Sequence, residues 1–192
     1  MNHFTGLVIF SCWAVLLVFI TISAFFVKRT VEVARGWKWS WLILVAFAAV
    51  LRLLEHFRHP SSHVAKIALP SPTPIVAGAA DLLAVAGLII ALWGRIVLGR
   101  NWNIHPGLKE NHELIERGPY AYVRHPMYSG LCLMLLGTVL WCGNTAGYLL
   151  FFASLLGVWF KLRQEEKILT RHFGESYLSY KARVKALIPF IL

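Results

Sequence analysis

The stretch GPYAYVRHPMYSG, residues 118–130, leads into a run in which the 36 residues between Arg124 and Lys161 carry no Asp, Glu, Lys or Arg. Gly118, Pro119 and Pro126 break regular structure, so the chain turns before it enters that run. Gly143 and Asn144 interrupt the run near its middle. Two apolar helices folded back on each other satisfy this pattern and return the chain to the side it left. Counted strictly, the two arms are residues 129–142 and 146–160, both shorter than the ~20 residues that usually cross a bilayer. They either dip into the membrane as a hairpin or borrow residues at their ends.

Both ends of the hairpin carry polar chemistry. Arg124 and His125 stand beside Tyr120, Tyr122 and Tyr128 at its start, and RQEEKIL, residues 163–169, follows its second arm with Glu165 and Glu166. Polar groups crowded at a membrane boundary point to a site. Adjacent residues on a helix point about 100° apart, so one glutamate can face a ligand while the other pairs with Arg163 or Lys161.

The rest of the composition agrees with a membrane setting. In 192 residues, 58% are hydrophobic and 15% charged, and the mean hydropathy is +0.63, which describes a single integral membrane domain over residues 1–192. The net charge of +10 does not indicate nucleic acid, because the basic residues lie between apolar spans and form no basic face. Cys12, Cys132 and Cys142 are odd in number and sit within apolar runs, as small buried hydrophobes do.

Residues 7–27 are uncharged for 21 positions, which predicts a first membrane helix retained in the mature protein. Lys28, Arg29, Arg35 and Lys38 follow it, and Trp37, Trp39 and Trp41 form an aromatic belt before a second span that runs to about Leu54, with Arg52 placed to snorkel. His56, His59 and His63 in the next loop invite a metal reading, but Pro60 breaks the turn between them and no further ligand lies close, so no metal site is expected. A third span covers residues 75–98 and contains Asp81, which must face protein, water or the interface. Arg95 lies about 21 Å further along the axis, so the two are expected near opposite interfaces.

Charge then sets the topology. Placing the loops after the first and third spans on one side with the C-terminal tail collects 16 of the 19 Lys and Arg residues there. The positive-inside rule makes that side cytoplasmic, with five crossings and the N-terminus outside. The fold expected is all-α, with three N-terminal spans in residues 1–98. A loop, the helical hairpin and a C-terminal helix fill residues 99–192. In the tail, Phe173, Tyr177 and Tyr180 recur at helical intervals with Lys181, Arg183 and Lys185 beyond them, which predicts an amphipathic helix on the inner membrane surface.

No glycine-rich phosphate loop, HExxH or GxSxG motif is present. The combination ELIERGPYAYVRHPMYSG, then the hairpin, then Arg163, Glu165 and Glu166, then FGESYLSYKARVKALIP resembles the isoprenylcysteine carboxyl methyltransferase family over residues 98–189, about half the chain. The resemblance implies an integral membrane enzyme that transfers a methyl group from S-adenosylmethionine to the carboxylate of a prenylated cysteine. It implies donor contacts from Tyr120, His125, Tyr128, Glu165 and Glu166, and from the backbone of His112, Glu113, Leu114 and Ile115. A cation to hold the acceptor carboxylate is expected at Arg124, with Lys161 and Arg163 as rivals. Lys161 stands where the family commonly carries arginine, which weakens bidentate carboxylate binding there.

Sulfonium is an activated leaving group and a carboxylate is already nucleophilic, so alignment rather than a general base is required. Partners implied are the lipid bilayer and a lipidic or prenylated acceptor that enters between helices. Three other readings remain at this level. A phospholipid methyltransferase would act on an amine and need a base near the methyl. A nicotinamide-dependent sterol-type reductase has a similar C-terminal half. A membrane scaffold would carry a vestigial pocket.

Overall fold

The computed structural model describes residues 3–33, 73–143 and 145–189. The expected second span, with its tryptophan belt, Arg52, His56, His59 and His63, lies outside the described residues.

Helix α1, His3–Ala24, is apolar all round. Thr5, Ile9, Cys12, Trp13 and Leu16 bury one face at helical spacing, while Phe4, Leu7, Phe10, Val15 and Val18 stay exposed on the other. Exposed bulk of that kind is stable against hydrocarbon and not against water. Helix α2, Pro74–Leu98, starts at Thr73, whose side chain accepts from the Val76 amide (3.3 Å), with Pro74 in the first turn. Gly99, at φ 55°, closes it. Both helices are long and apolar enough to cross a membrane.

The hairpin expected from the uncharged run is present. Its arms are α3, Pro126–Cys142, and α4, Thr145–Phe173. Gly143, at φ 60°, takes the left-handed conformation that ends α3 and donates its amide to Val139 O (3.0 Å). Helix α3 is about 26 Å long, somewhat short of a ~30 Å hydrocarbon core. Helix α4 exceeds the expected arm, because the apolar stretch ending at Phe160 continues without a break through both glutamates to Phe173. Nothing in KLRQEEKILTRHF stops a helix, and a change of solvent from lipid to water does not interrupt backbone hydrogen bonding.

The tightest packing is between α2 and α3. Small residues line it: Ala80, Ala84, Gly87 and Ala91 on α2 face Gly130 and Gly137 on α3, with the larger Met134 between those two. A Cβ on Gly130 would lie 2.4 Å from Gly87 O, so the backbones touch there. Helix α1 closes the third side. Trp13 Nε1 donates to Thr138 Oγ1 (3.1 Å) and Thr5 Oγ1 donates to Asp81 Oδ2 (3.3 Å). Asp81 therefore faces protein. Arg95 lies buried at the other end of α2, donating to Ser23 O and Gly99 O (both 2.7 Å) and stacking on Trp102.

The fold is mostly helical, as expected, with two short strands that the sequence did not announce. β1, Thr30–Val33, pairs antiparallel with β2, Gly107–Lys109, joining the chain after α1 to the loop after α2. Three or four residues cannot show the alternation that announces a strand, and the pairing is non-local. A Cβ on Gly107 would sit 2.1 Å from Glu32 O. The tail is corrected. Helix α5, Glu175–Arg183, is amphipathic, but Tyr177 and Tyr180 on its aromatic face are 1% and 2% exposed. That face packs on the protein beneath it, with Leu114, Leu169 and Phe173, instead of on lipid.

A polar cavity and an apolar groove on either side of one helix turn

The C-terminal ends of α1 and α2, the start of α3, the charged end of α4 and all of α5 gather at one end of the helices. Between them is a cavity of about 280 Å³. Its walls come from the C-terminal ends of α1 and α2, the loop after α2, the hinge and first turns of α3, α4 from Lys161 to Phe173, and α5. The hinge is held from the tail side. Arg124 N and His125 N donate to Lys185 O and Ala186 O (2.8 and 3.0 Å), and Ser129 Oγ donates to Leu187 O (2.6 Å). Gly118 and Pro119 open a 3-10 turn over Gly118–Ala121 that swings Tyr120 inward, where its hydroxyl donates to Gly94 O (3.3 Å).

The hinge and the acidic pair converge as their shared position at the hairpin ends requires. Tyr128 Oη donates to Glu165 Oε2 at 2.9 Å, and the His125 ring stacks on Tyr128 at 5.7 Å. His112, Glu113, Leu114, Ile115, Tyr120, His125, Tyr128 and Glu165 all line the cavity. His112 is tied to its own loop, its Nδ1 accepting from Lys109 N (3.3 Å). Burial and the neighbouring His172 lower its pKa against the opposing pull of Glu165, which keeps the imidazole neutral.

Glu166 does not line the cavity, and its partners are not the ones the spacing suggested. About 100° further round α4, it is 4% exposed and enclosed by Arg124 (Nε to Oε1, 2.9 Å), Lys181 (Nζ to Oε2, 2.7 Å) and the His125 ring (3.5 Å). Burial alone would raise its pKa, but the hydrogen bonds from His125, Lys181 and Arg124 override it and hold the carboxyl well below the usual range. Arg124, expected to be an open cation, is thereby committed. Its guanidinium also donates to Lys181 O and Val184 O. Arg163 is exposed and stacks on Trp159 at 4.4 Å, away from the cavity. Of the three expected cations, Lys161 is the one at the cavity with its ammonium held by a single neutral acceptor, Ile104 O (3.0 Å), over the Tyr128 ring at 5.5 Å.

Sequence reading missed one wall. Asn101, Trp102, Asn103, Ile104 and His105, from the loop after α2, line the cavity. Lys28 fastens this wall to the next, donating to Asn101 Oδ1 (3.0 Å), Asn111 O (2.7 Å) and Glu113 Oε1 (3.3 Å). The two asparagines and a tryptophan directly after a membrane helix were the available signal.

On the other face of the same hinge lies an apolar groove of about 860 Å³ between α3 and α4. Leu133, Leu136, Phe152, Leu155 and Trp159 line it, with Trp93 of α2 and Ile188 of the tail. Alternation along the hinge separates the two spaces. Tyr120, Arg124, His125, Met127 and Tyr128 face the cavity, whereas Pro119, Tyr122, Val123, Pro126 and Ser129 face the groove. One layer of residues divides a polar pocket from a lipid-like one.

Helices bearing exposed apolar faces, a polar cavity at their charged end and an adjoining apolar groove define a small helical membrane protein. Residues 75–176 match the family model described as phospholipid methyltransferase, and the chain belongs to that family. It is 34% identical over 125 residues to the protein-S-isoprenylcysteine O-methyltransferase of Xenopus laevis, covering 57% of this chain and 41% of that one. It is 29% identical over 156 residues to the protein of the same name from Saccharomyces cerevisiae, covering 79% and 64%. The resemblance read from the hinge and the twin glutamates is borne out. The chain spans about two fifths of the length of the animal relative. Its fold is similar to that of the eukaryotic intramembrane Ras methyltransferase (isoprenylcysteine carboxyl methyltransferase), with a TM-score of 0.54 at 21% identity, over 77% of this chain and 52% of that one.

Proposed function

We propose that the protein is a membrane methyltransferase that transfers the methyl group of S-adenosylmethionine to the carboxylate of an isoprenylcysteine-like lipidated acceptor. The observation that carries this reading is the single layer of hinge residues between the polar cavity and the apolar groove. A water-soluble donor and a lipid acceptor each require their own solvent, and transfer requires the two to meet.

The cavity suits the donor chemically. Glu165, with one oxygen on Tyr128, offers its other oxygen to an ammonium or a ribose hydroxyl. Burial lowers the pKa of His112, so this ring adds no positive charge against a sulfonium. Asn103 Nδ2 and Tyr177 Oη, both of cavity-lining residues, are buried without a hydrogen-bond partner among the described residues, and buried groups of this kind call for partners. When bound, S-adenosylmethionine supplies a methyl group on a sulfonium, and a carboxylate accepts it with no proton to move. The chain's own task is alignment and charge. The Lys161 ammonium lies over the ring of Tyr128, a residue of the dividing hinge, and from there it holds an acceptor carboxylate while the apolar tail lies in the groove. A cation there favours an acid over the amine of a phospholipid, which would need a base. With its basic residues gathered at the site's end of the helices, the site faces the cytoplasm and the N-terminus lies outside.

The test is methyl transfer from labelled S-adenosylmethionine in detergent or liposomes, with farnesylcysteine and phosphatidylethanolamine as competing acceptors. Label in a base-labile ester of farnesylcysteine is expected. Label on the amine, or no donor binding by calorimetry, overturns the reading.

A further inference from the structure

Tyr177 and Tyr180 stand one turn apart on α5, both buried and both lining the cavity, yet their hydroxyls differ. Tyr180 Oη donates to Tyr120 O at 2.7 Å, fastening the tail to the hinge. Tyr177 Oη is buried without a hydrogen-bond partner among the described residues. The fold therefore gains nothing from this oxygen: phenylalanine has the same shape and would avoid an unpaired polar group. An orphan hydroxyl on a 1% exposed side chain at a ligand cavity is explained by a ligand atom that completes it.

Its surroundings say which atom. Burial, with Glu166 next, pushes the phenol far above its ordinary pKa, so it stays protonated and donates. The cations near it, Arg124 and Lys181, are neutralised on Glu166. Glu165, on the same cavity, is an acceptor. The amino-acid end of S-adenosylmethionine is a zwitterion whose ammonium needs an acceptor and whose carboxylate needs a donor. We propose that the Tyr177 hydroxyl donates to the carboxylate of the methyl donor's amino-acid end, beside Glu165, which takes the ammonium. This rests on the assignment of the cavity to S-adenosylmethionine. It makes Tyr177 a cofactor-binding residue contributed by the tail, so α5 serves both as a lid and as a reader of the donor.

The test pairs one substitution with two ligands. Calorimetry on the detergent-solubilised protein compares S-adenosylmethionine with its decarboxylated analogue, for the native chain and for Tyr177→Phe. The substitution is expected to weaken S-adenosylmethionine by about 10- to 100-fold, the range of a hydrogen bond to a charged group, and to change the decarboxylated analogue by less than about 2-fold. The ligand-free melting temperature should hold or rise. Equal losses for both ligands, no loss for either, or a lower ligand-free melting temperature would overturn the proposal. A native chain that binds neither ligand removes the cavity's assignment itself, and this one with it.

Discussion

Arg124 and Glu166, 42 residues apart in the chain, form an ion pair whose side chains are 7% and 5% exposed. Lys181 closes the other carboxylate oxygen, and the guanidinium reaches two backbone carbonyls of the tail. One pair thus joins the hinge, α4 and α5, three of the pieces that enclose the cavity. Removing Glu166 leaves a buried guanidinium with backbone carbonyls alone, which costs roughly 3–5 kcal/mol, whereas removing Arg124 leaves Glu166 with Lys181 and the His125 ring and costs less. Glu166→Gln should lower the melting temperature markedly in detergent, and Arg124→Met should lower it less. The double substitution should cost less than the two single losses together, a non-additivity that a thermal-shift double-mutant cycle would read.

The same carboxylate sets an acid limit. Its pKa in the folded protein lies below that of an unfolded glutamate, about 4.3. The stability it contributes is therefore complete above that value and is lost as pH falls below it. Melting temperatures taken from pH 7 to pH 3 should bend downward from about pH 4. Glu166→Gln should start lower and fall less steeply. Parallel curves for the two proteins would show that Glu166 is not the titrating group.

Glu165 should behave differently from its neighbour. Because it lines the cavity and is bonded to Tyr128 alone among the described side chains, Glu165→Gln removes a charge that the fold does not depend on. The expected outcome is at least a ~10-fold loss of S-adenosylmethionine affinity, as for a lost charge-assisted hydrogen bond, with a melting shift of only a few degrees. Tyr128→Phe frees the carboxylate to move and should cost about 3- to 10-fold in affinity. Calorimetry that ranked Glu166→Gln above Glu165→Gln for specific affinity loss, after correction for unfolded protein, would reverse these roles.

How far the sequence announced this site depends on the range of each signal. Glycine, proline and charge are local signals, so the hairpin, its left-handed turn at Gly143 and the separate duties of two adjacent glutamates could be read from spacing alone. Partners were not local. Glu166 meets Arg124 and Lys181 across the fold, whereas spacing along one helix offered Arg163 and Lys161. Lys28 bridges to Asn111 and Glu113 more than 80 positions away, and the β1–β2 pairing is of the same kind. The tail's aromatic stripe had the right period and the wrong solvent: periodicity shows that a face is covered without saying whether lipid or protein covers it.

The seam between α2 and α3 gives a prediction about how the site is held. Gly130 is one turn into α3, and a side chain there would strike Gly87 O and Ala91 N on α2. Gly130→Val must push the helices apart, and overpacking of this kind costs roughly 1–3 kcal/mol or more. Because the hinge that carries His125 and Tyr128 is the start of the same helix, donor affinity should fall together with stability. Gly78, where an added Cβ meets nothing within 4 Å, is the control: Gly78→Ala should leave both unchanged or raise stability slightly.

The groove yields the prediction that separates acceptor from donor. Leu133 and Leu155 line it from α3 and α4, and neither borders the cavity. Tryptophan at either position fills space that is open in the native protein, so it need not strain the fold. It should nevertheless obstruct a long apolar chain, for which each buried methylene contributes about 0.8 kcal/mol. Displacing three methylenes would then raise the KM for farnesylcysteine by roughly 50-fold, while calorimetric affinity for S-adenosylmethionine stays within about 2-fold of native. A shorter geranyl acceptor should suffer less than the farnesyl one. If all chain lengths lose turnover equally, the obstruction lies elsewhere and the groove is not the acceptor's path.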